Sequence, residues 1–453
     1  MDQIPSMATS TPERRRHAGT ALRRAVPRSA QAEWSPPADR ADPVAILIDQ
    51  GKTRIQELLP IRYGRMRSDP FAFLRGAAAV MASDLAGTPS TGIRMQASGD
   101  AHLANFGSYA TPDGVPVFDI NDFDETLPAP FEWDLKRLAT SLVVAGRVAH
   151  YPEKAARALA RTAARSYREH MARLARLSPV EAWNQHIELA RCVAEIEQPK
   201  VRDALEKRLA RILHSNVKHF GLVEQKNGQV RIREKPRLVY RLGHHALPAR
   251  KAFASYAETL QEDRRVLLQH YTLRDVAFKV VGVGSVGTFC AIGLLTAGDG
   301  SPLLLQIKEA QESVVAPFAG SSDYANHGER VVVGQRMMQA ATYIFLGWTR
   351  SAIDNRHYYI RRLKDSRLAN IGARLQAALP FYAALCGRTL ARAHARAGDP
   401  ALVSGYAGSG SALDEAIGEF ASAYADQTEK DWHSFQAAIK TGRIVAAAPE
   451  TSN

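Results

Sequence analysis

Apolar positions recur at helical spacing through most of the chain, with β-like stretches around 93–120, 276–308 and 358–363. An amphipathic segment begins at Pro43–Gly51, and Asp69-Pro70 opens a helix that runs on to Leu85. Gly87–Gly92 is a loop, and Ile93 to Ala97 reads as a short strand. Asp113-Gly114 is a hairpin turn between Phe106–Tyr109 and Val115–Ile120. Pro128 and Pro130 break the chain before a helix that starts at Trp133 and reaches about Val148. From Glu153 to about Ser215 the pattern is helical almost throughout. Residues 216–250 are mixed around an Asn227-Gly228 turn, and a helix covers about 250–270.

The character then changes. Val276 to Leu295 is rich in β-branched and aromatic residues around Gly282-Val-Gly-Ser-Val-Gly287. Ala297–Ser301 is a turn and Pro302 to Lys308 a further strand. Gly328 to Leu346 reads as a helix containing Glu329, Tyr358 to Leu363 as a strand, and about 367–397 and 411–440 as helices. No internal repeat is visible. The reading is an α+β protein: a disordered basic tail at 1–42, a mostly helical large lobe at 43–270, a small antiparallel-sheet lobe at 271–366, and helices at 367–453 that return to the large lobe.

Composition narrows this only a little. A chain of 453 residues with 45% apolar and 23% charged residues is long enough for two substantial cores. No apolar run is long enough to span a bilayer, and the N-terminal stretch lacks the apolar region of a secretory signal. Cys192, Cys290 and Cys386 are far apart, which excludes a disulfide framework and a Cys-x-x-Cys metal site and fits a reducing cytoplasm. The net charge of +13 admits nucleic acid or a phosphorylated ligand as partner, but most of the basic residues lie on helical stretches where solvated faces account for them.

Two clusters carry candidate chemistry. The turn with Gly282, Gly284, Ser285 and Gly287 is followed by Thr288–Leu295, which favours a strand over the capped helix that a dinucleotide-binding turn requires. A Gly-rich loop between antiparallel strands, with a lysine on the third, is the arrangement that covers nucleotide phosphates in kinases. Lys308 stands 21 residues past Gly287 on an apolar strand, where an ammonium needs anions. Glu329 is the first choice for a partnering carboxylate and Glu312 the alternative. Earlier in the chain come Gly99-Asp100-Ala-His102-Leu-Ala-Asn105 and, seventeen positions after Asn105, Asp122. Phosphoryl transfer needs a carboxylate to orient the acceptor and a carboxamide with a second carboxylate to hold Mg²⁺, and Asp100, Asn105 and Asp122 can fill those roles in that order. Asp119, Asp124 and Glu125 add converging carboxylates, which favour Mg²⁺ or Mn²⁺ with oxygen ligands. His102 and Asp124 support this loop and hairpin, and Asp134 either bonds back to the loop or caps its own helix.

These residues resemble the aminoglycoside- and choline-kinase-like branch of the protein-kinase-like fold, in which a Gly-Asp-x-His-x-x-Asn loop precedes an Asp-Phe metal ligand and an Asp-Leu helix about a dozen residues on. Here Asp122-Phe123 precedes Asp134-Leu135 by twelve residues. The resemblance implies Asp100 as catalytic base, Asn105 and Asp122 as metal ligands, and Lys308 as the phosphate-binding lysine. More closely, residues 69–140 and 276–336 resemble an uncharacterised bacterial domain family built around GDxHxxNFG and NDFDE motifs. Ser98 stands where the kinase branch usually has His, and the loop precedes the Gly-rich lobe, whereas kinases run the other way. A circular permutation reconciles the order, and Cys386–His394 looks like the helix that leads into the loop in those kinases. The implied activity is an ATP- and Mg²⁺-dependent phosphotransferase acting on a small-molecule acceptor. The alternatives are a metal-dependent phosphoesterase and a non-catalytic nucleotide- or nucleic-acid-binding protein.

Overall fold

The computed structural model describes residues 7–448 except 197, 201, 205, 208–220, 237, 242, 244–245, 281 and 364–377. The strands are β1 (Arg94–Ala97), β2 (Phe106–Ala110), β3 (Pro116–Ile120), β4 (Leu127–Pro130), β5 (Val223–Lys226), β6 (Gln229–Ile232), β7 (Val239–Tyr240), β8 (Tyr271–Lys279), β9 (Cys290–Ala297), β10 (Pro302–Glu309), β11 (Gly347–Arg350) and β12 (His357–Arg362). Six of them form one antiparallel sheet in the order β11-β12-β10-β9-β8-β7, and the rest pair as β1 with β4, β2 with β3 and β5 with β6. The fold is therefore α+β.

The sheet and the helical body are built on different cores. β9 and β10 are buried along nearly their whole length because both faces of the sheet are covered. Ala249, Phe253, Tyr256 and Leu268 of the preceding helices pack on one face against Val276, Leu305 and Ile360. The β5–β6 hairpin covers the other, with Leu222 and Ile232 against Ala277, Ile292 and Leu304. The expected lobe boundary at 270 is thus too late. The helices Ala246–Ser255 and Glu262–Leu268 read as helical-lobe material from periodicity alone, yet their apolar stripes are matched to the sheet.

In the helical body, Phe131–Val148 is buried almost all round, between Glu153–Leu174, Leu379–Ala397 and Ala412–Lys440. Its polar side chains are accommodated by partners; Glu132 accepts from the Thr91 amide at 2.7 Å and Lys136 donates to Thr88 at 3.1 Å. The helical pattern expected almost throughout 153–215 breaks at Leu174 and restarts at Pro179, where Ser178 and Glu181 form a capping box. Part of that span, 197, 201, 205 and 208–215, lies outside the described residues, as does the start of the helix expected from 367.

The N-terminal segment departs most from expectation. Residues 7–42 are not a loose tail. Pro12–Ala21 is a helix capped by Thr11, laid across Pro400–Ala407 so closely that a Cβ on Gly19 would lie 2.0 Å from the Leu402 carbonyl and one on Gly405 2.1 Å from that of Arg16. Arg23 donates to the carbonyl of Tyr406 at 2.9 Å, at the end of that helix where carbonyls lack intrahelical partners. Farther along, the Trp34 ring meets Tyr424 edge-on and Arg40 bridges Asp84 and Asp431, each at 2.7 Å. Small and basic residues that read as disordered by composition are here the contacts of a close helix crossing.

Candidate functional site

β1 delivers the loop that begins at Ser98. Gly99 has φ +78°, and a Cβ there would sit 2.1 Å from the Glu125 carbonyl oxygen, so the loop and the acidic hairpin meet only through a glycine. Asp134 fixes the loop from below, accepting from the amides of Ser98 at 2.6 Å and Gly99 at 3.0 Å. Of its two expected roles, the bond back to the loop is the one found. His394 adds a 3.1 Å contact from Nε2 to the same carboxylate, and its Nδ1 meets the Tyr167 hydroxyl at 2.9 Å.

Asp100 is held by Arg137, with Nε at 2.9 Å and Nη2 at 2.8 Å from Oδ1. Burial raises its carboxyl above the usual carboxylate range, Arg137 opposing. His102 is buried, its Nε2 3.7 Å from Asp100, and burial with the nearby Arg75 and Arg137 lowers its proton affinity far enough to keep the imidazole neutral. Asn105 donates Nδ2 to the Asp100 carbonyl at 2.9 Å, leaving Oδ1 as its acceptor.

β2 and β3 pair so that Phe106 lies opposite Ile120, and the Asn121 amide donates to the Asn105 carbonyl at 2.7 Å, bringing Asn105 beside Asp122. Lys308, on β10 and 1% exposed, reaches the same acids from the six-stranded sheet. Its ammonium lies 3.8 Å from Asp122 and 2.5 Å from Asp124. Burial lowers its proton affinity, but Asp122 and Asp124 outweigh this and hold the group cationic. Ser285 of the Gly-rich turn donates to Asp124 at 3.2 Å, and the Tyr359 hydroxyl donates to its other oxygen.

The expectation of Glu329 as the lysine's partner is corrected. Asn326 caps the helix His327–Met338 by accepting from the amides of Gly328 and Glu329, which leaves Glu329 in the first turn; among the described residues the carboxylates paired with Lys308 are Asp122 and Asp124, and Glu329 does not border the cavity. The next residue turns inward instead: Arg330 donates to the carbonyls of Thr126 at 2.6 Å, Asp124 at 2.8 Å and Gln311 at 2.8 Å. Asp124, expected only to support the hairpin, is the carboxylate closest to Lys308. Glu312 borders the cavity.

The cavity, of about 540 Å³, is bordered by Asp100, Asn105, Asp122 and Asp124 on one side and by Gly282, Gly284 and Ser285 on another. The Gly-rich turn lies between β8 and β9, held from the N-terminal side. Arg54 Nη1 donates to the carbonyls of Gly284 at 2.8 Å and Val286 at 2.7 Å, the Ile55 amide to that of Gly287 at 2.7 Å, and Arg65 to that of Gly282 at 2.7 Å. Sequence reasoning missed Arg137, Tyr359, Arg330 and Arg54. Two had a readable signal: Arg137 is one helical turn from Asp134, and Tyr359 pairs with Lys308 in register.

Glu125 also borders the cavity, and burial raises its carboxyl to about 7 although the Val314 amide donates to it at 2.7 Å. A carboxyl whose folded pKa exceeds its unfolded one binds more protons in the folded state, so its contribution to stability falls as pH rises from about 4.5 to about 7. Glu125→Gln keeps an acceptor for Val314 and is expected to remove that component. A Tm-versus-pH profile unchanged in slope between pH 5 and 7 would contradict this.

Among the described residues no helix is long and apolar enough to cross a membrane. Searches of the curated proteins and of the solved structures find no match to the chain. A family model does match, over residues 54–438, a span that runs from the arginine at the Gly-rich turn through the loop, the hairpin and Lys308 to the last long helix. The chain belongs to the family described as an uncharacterised protein conserved in bacteria, DUF2252.

Proposed function

We propose that the chain is a kinase-like phosphotransferase that binds Mg·ATP in this cavity and transfers a phosphoryl or nucleotidyl group to a small-molecule acceptor, on a circularly permuted protein-kinase-like fold. One observation carries the reading: Lys308, on the third strand after a Gly-rich turn, meets Asp122 at 3.8 Å although 186 residues separate them. The order of elements is consistent with permutation. The helix Leu379–Ala397 ends beside β1, with Gly398 against the Met95 side chain and His394 bonded to Asp134, where a continuous chain would enter the loop.

In this reading Lys308 and the Gly-rich turn bind phosphate oxygens. Asp100, whose proton affinity burial has raised, takes the proton of the acceptor hydroxyl, and Arg137 holds it in place. Asp122 and Asn105 Oδ1 are oxygen donors and fit a hard divalent cation. Among the described residues no group of three or more His, Cys, Asp or Glu could hold an ion unaided, so most ligands would come from phosphates and water, as Mg²⁺ prefers. When bound, the cation would neutralise charge on the transferring group. The two-metal phosphoesterase alternative lacks the protein ligand cluster it needs among the described residues.

The test is thermal stabilisation by ATP with and without Mg²⁺ in the native chain and in Lys308→Ala. Ligands that bind only the folded state raise its apparent stability. The expected result is a rise in Tm that grows with Mg²⁺ and vanishes in the variant, read as the ligand-induced shift. A shift of equal size in Lys308→Ala would refute the nucleotide site.

A further inference from the structure

The cavity has another charged wall. Arg54, Arg62 and Arg75 border it beside the Gly-rich turn. Arg62 Nη2 donates to the Gly76 carbonyl at 2.8 Å, Arg54 Nη1 to that of Gly284 at 2.8 Å, and the Cβ position of Gly284 lies 3.2 Å from the backbone carbonyl oxygen of Arg75, so all three residues meet the chain beside the Gly-rich turn. Their hydrogen-bond partners are neutral, and the carboxylates that act on them do so through space: Glu125, Glu309 and Asp124 on Arg54, Glu125 on Arg62, and Asp100, Asp69 and Asp122 on Arg75. Arg54 holds backbone carbonyls, Arg62 adds the Gln50 carboxamide at 2.6 Å, and the Arg75 guanidinium lies 5.9 Å from the Phe71 ring centre. Among the described residues, Nε of all three and Nη1 of Arg62 are buried with no hydrogen-bond partner.

Arg54 is 8% exposed and Arg62 0%, so two of these cations are more than nine-tenths buried. Buried charges are normally paired, because an unpaired one loses its hydration without a counter-ion. Burial lowers the proton affinity of all three, and for Arg62 the charge of Arg54 adds to it. Guanidinium stays protonated under such pressure, and its planar fork matches the oxygens of phosphate and carboxylate. Asp100 is the carboxylate whose charge acts most on Arg75, which puts this wall next to the group assigned to the acceptor hydroxyl.

We propose that Arg54, Arg62 and Arg75 form a second anion subsite that takes an oxyanion group of the acceptor, so that the acceptor is an anionic small molecule such as a phosphate ester or carboxylate. This assignment to the acceptor rests on the phosphotransferase reading. The other source of the same chemistry is the terminal phosphate of the nucleotide, and the experiment separates the two.

Inorganic phosphate is the probe. At about a hundredfold over its Kd it is expected to raise the Tm of the native chain by about 3 °C. That rise is lost in Arg75→Met and kept in Lys308→Ala. On the native chain alone, the phosphate Kd measured by calorimetry stays within about twofold when a non-hydrolysable Mg·ATP analogue is saturating. This second measurement stands even if Arg75→Met does not fold. Absence of phosphate binding, or an undiminished rise in Arg75→Met, would overturn the subsite. Competition with the analogue would overturn its assignment to the acceptor. Arg75-dependent phosphate binding in a chain that ignores the nucleotide would leave the subsite standing while the phosphotransferase reading fails.

Discussion

Asp122→Ala is expected to cut nucleotide turnover by about 10²–10³, the usual cost of losing a group that acts on charge developing in the transition state. The fold should survive the change, because Asp122 is one of two carboxylates near Lys308 and the nearer, Asp124, keeps its contacts with the lysine, Ser285 and Tyr359. A structural role would lower Tm and leave the ligand response intact. The proposed role does the reverse: ATP still stabilises the variant, but the increment added by Mg²⁺ disappears. Wild-type turnover in Asp122→Ala, measured with whatever acceptor is in hand or as slow hydrolysis, would end the assignment.

The largest effect on stability is expected at Arg392→Met. Arg392 and Asp119 form an ion pair in which both side chains are fully buried, joining β3 to the helix Leu379–Ala397. Arg392 also donates to the Met338 carbonyl at 2.7 Å, and Asp119 accepts from the amides of Ile120 and Ala340, each at 2.8 Å. Removing the cation strands a carboxylate where water cannot reach it. Breaking one side of such a pair typically costs about 3–5 kcal/mol. Denaturant titration of the variant checks this, and a change under about 1 kcal/mol would show that Asp119 finds another partner.

Asp119 also shows how far the sequence could be read. From spacing, Asp119, Asp122 and Asp124 are equivalent acids between apolar anchors, and nothing local separates a structural carboxylate from a cavity-facing one. What separates them is Arg392, 273 residues away and invisible to pattern. The Gly-rich turn, the strand carrying Lys308 and the hairpin at Asp113-Gly114 were legible because each is set by short-range rules of turn geometry and alternation. Glu329 was misassigned for the opposite reason. Its helix was expected over Gly328 to Leu346 and runs over His327–Met338, and periodicity alone does not show that Arg330, rather than Glu329, bonds the hairpin carbonyls. The N-terminal helix was missed because a run of Arg, Ala and Thr has almost no apolar stripe, and the glycine-to-carbonyl contacts that seat it leave no periodic trace.

The long reach of these ion pairs bears on synthesis. The acidic hairpin leaves the ribosome well before its counter-ions: Lys308 follows Asp124 by 184 residues and Arg392 follows Asp119 by 273. At ordinary elongation rates that is a delay of roughly 10–55 s, during which three neighbouring carboxylates repel one another with neither cation yet made. The hairpin itself can form from its local turn and alternation, but the ion pairs that fix its acids in their final places wait until the strand of Lys308 and the helix of Arg392 have emerged.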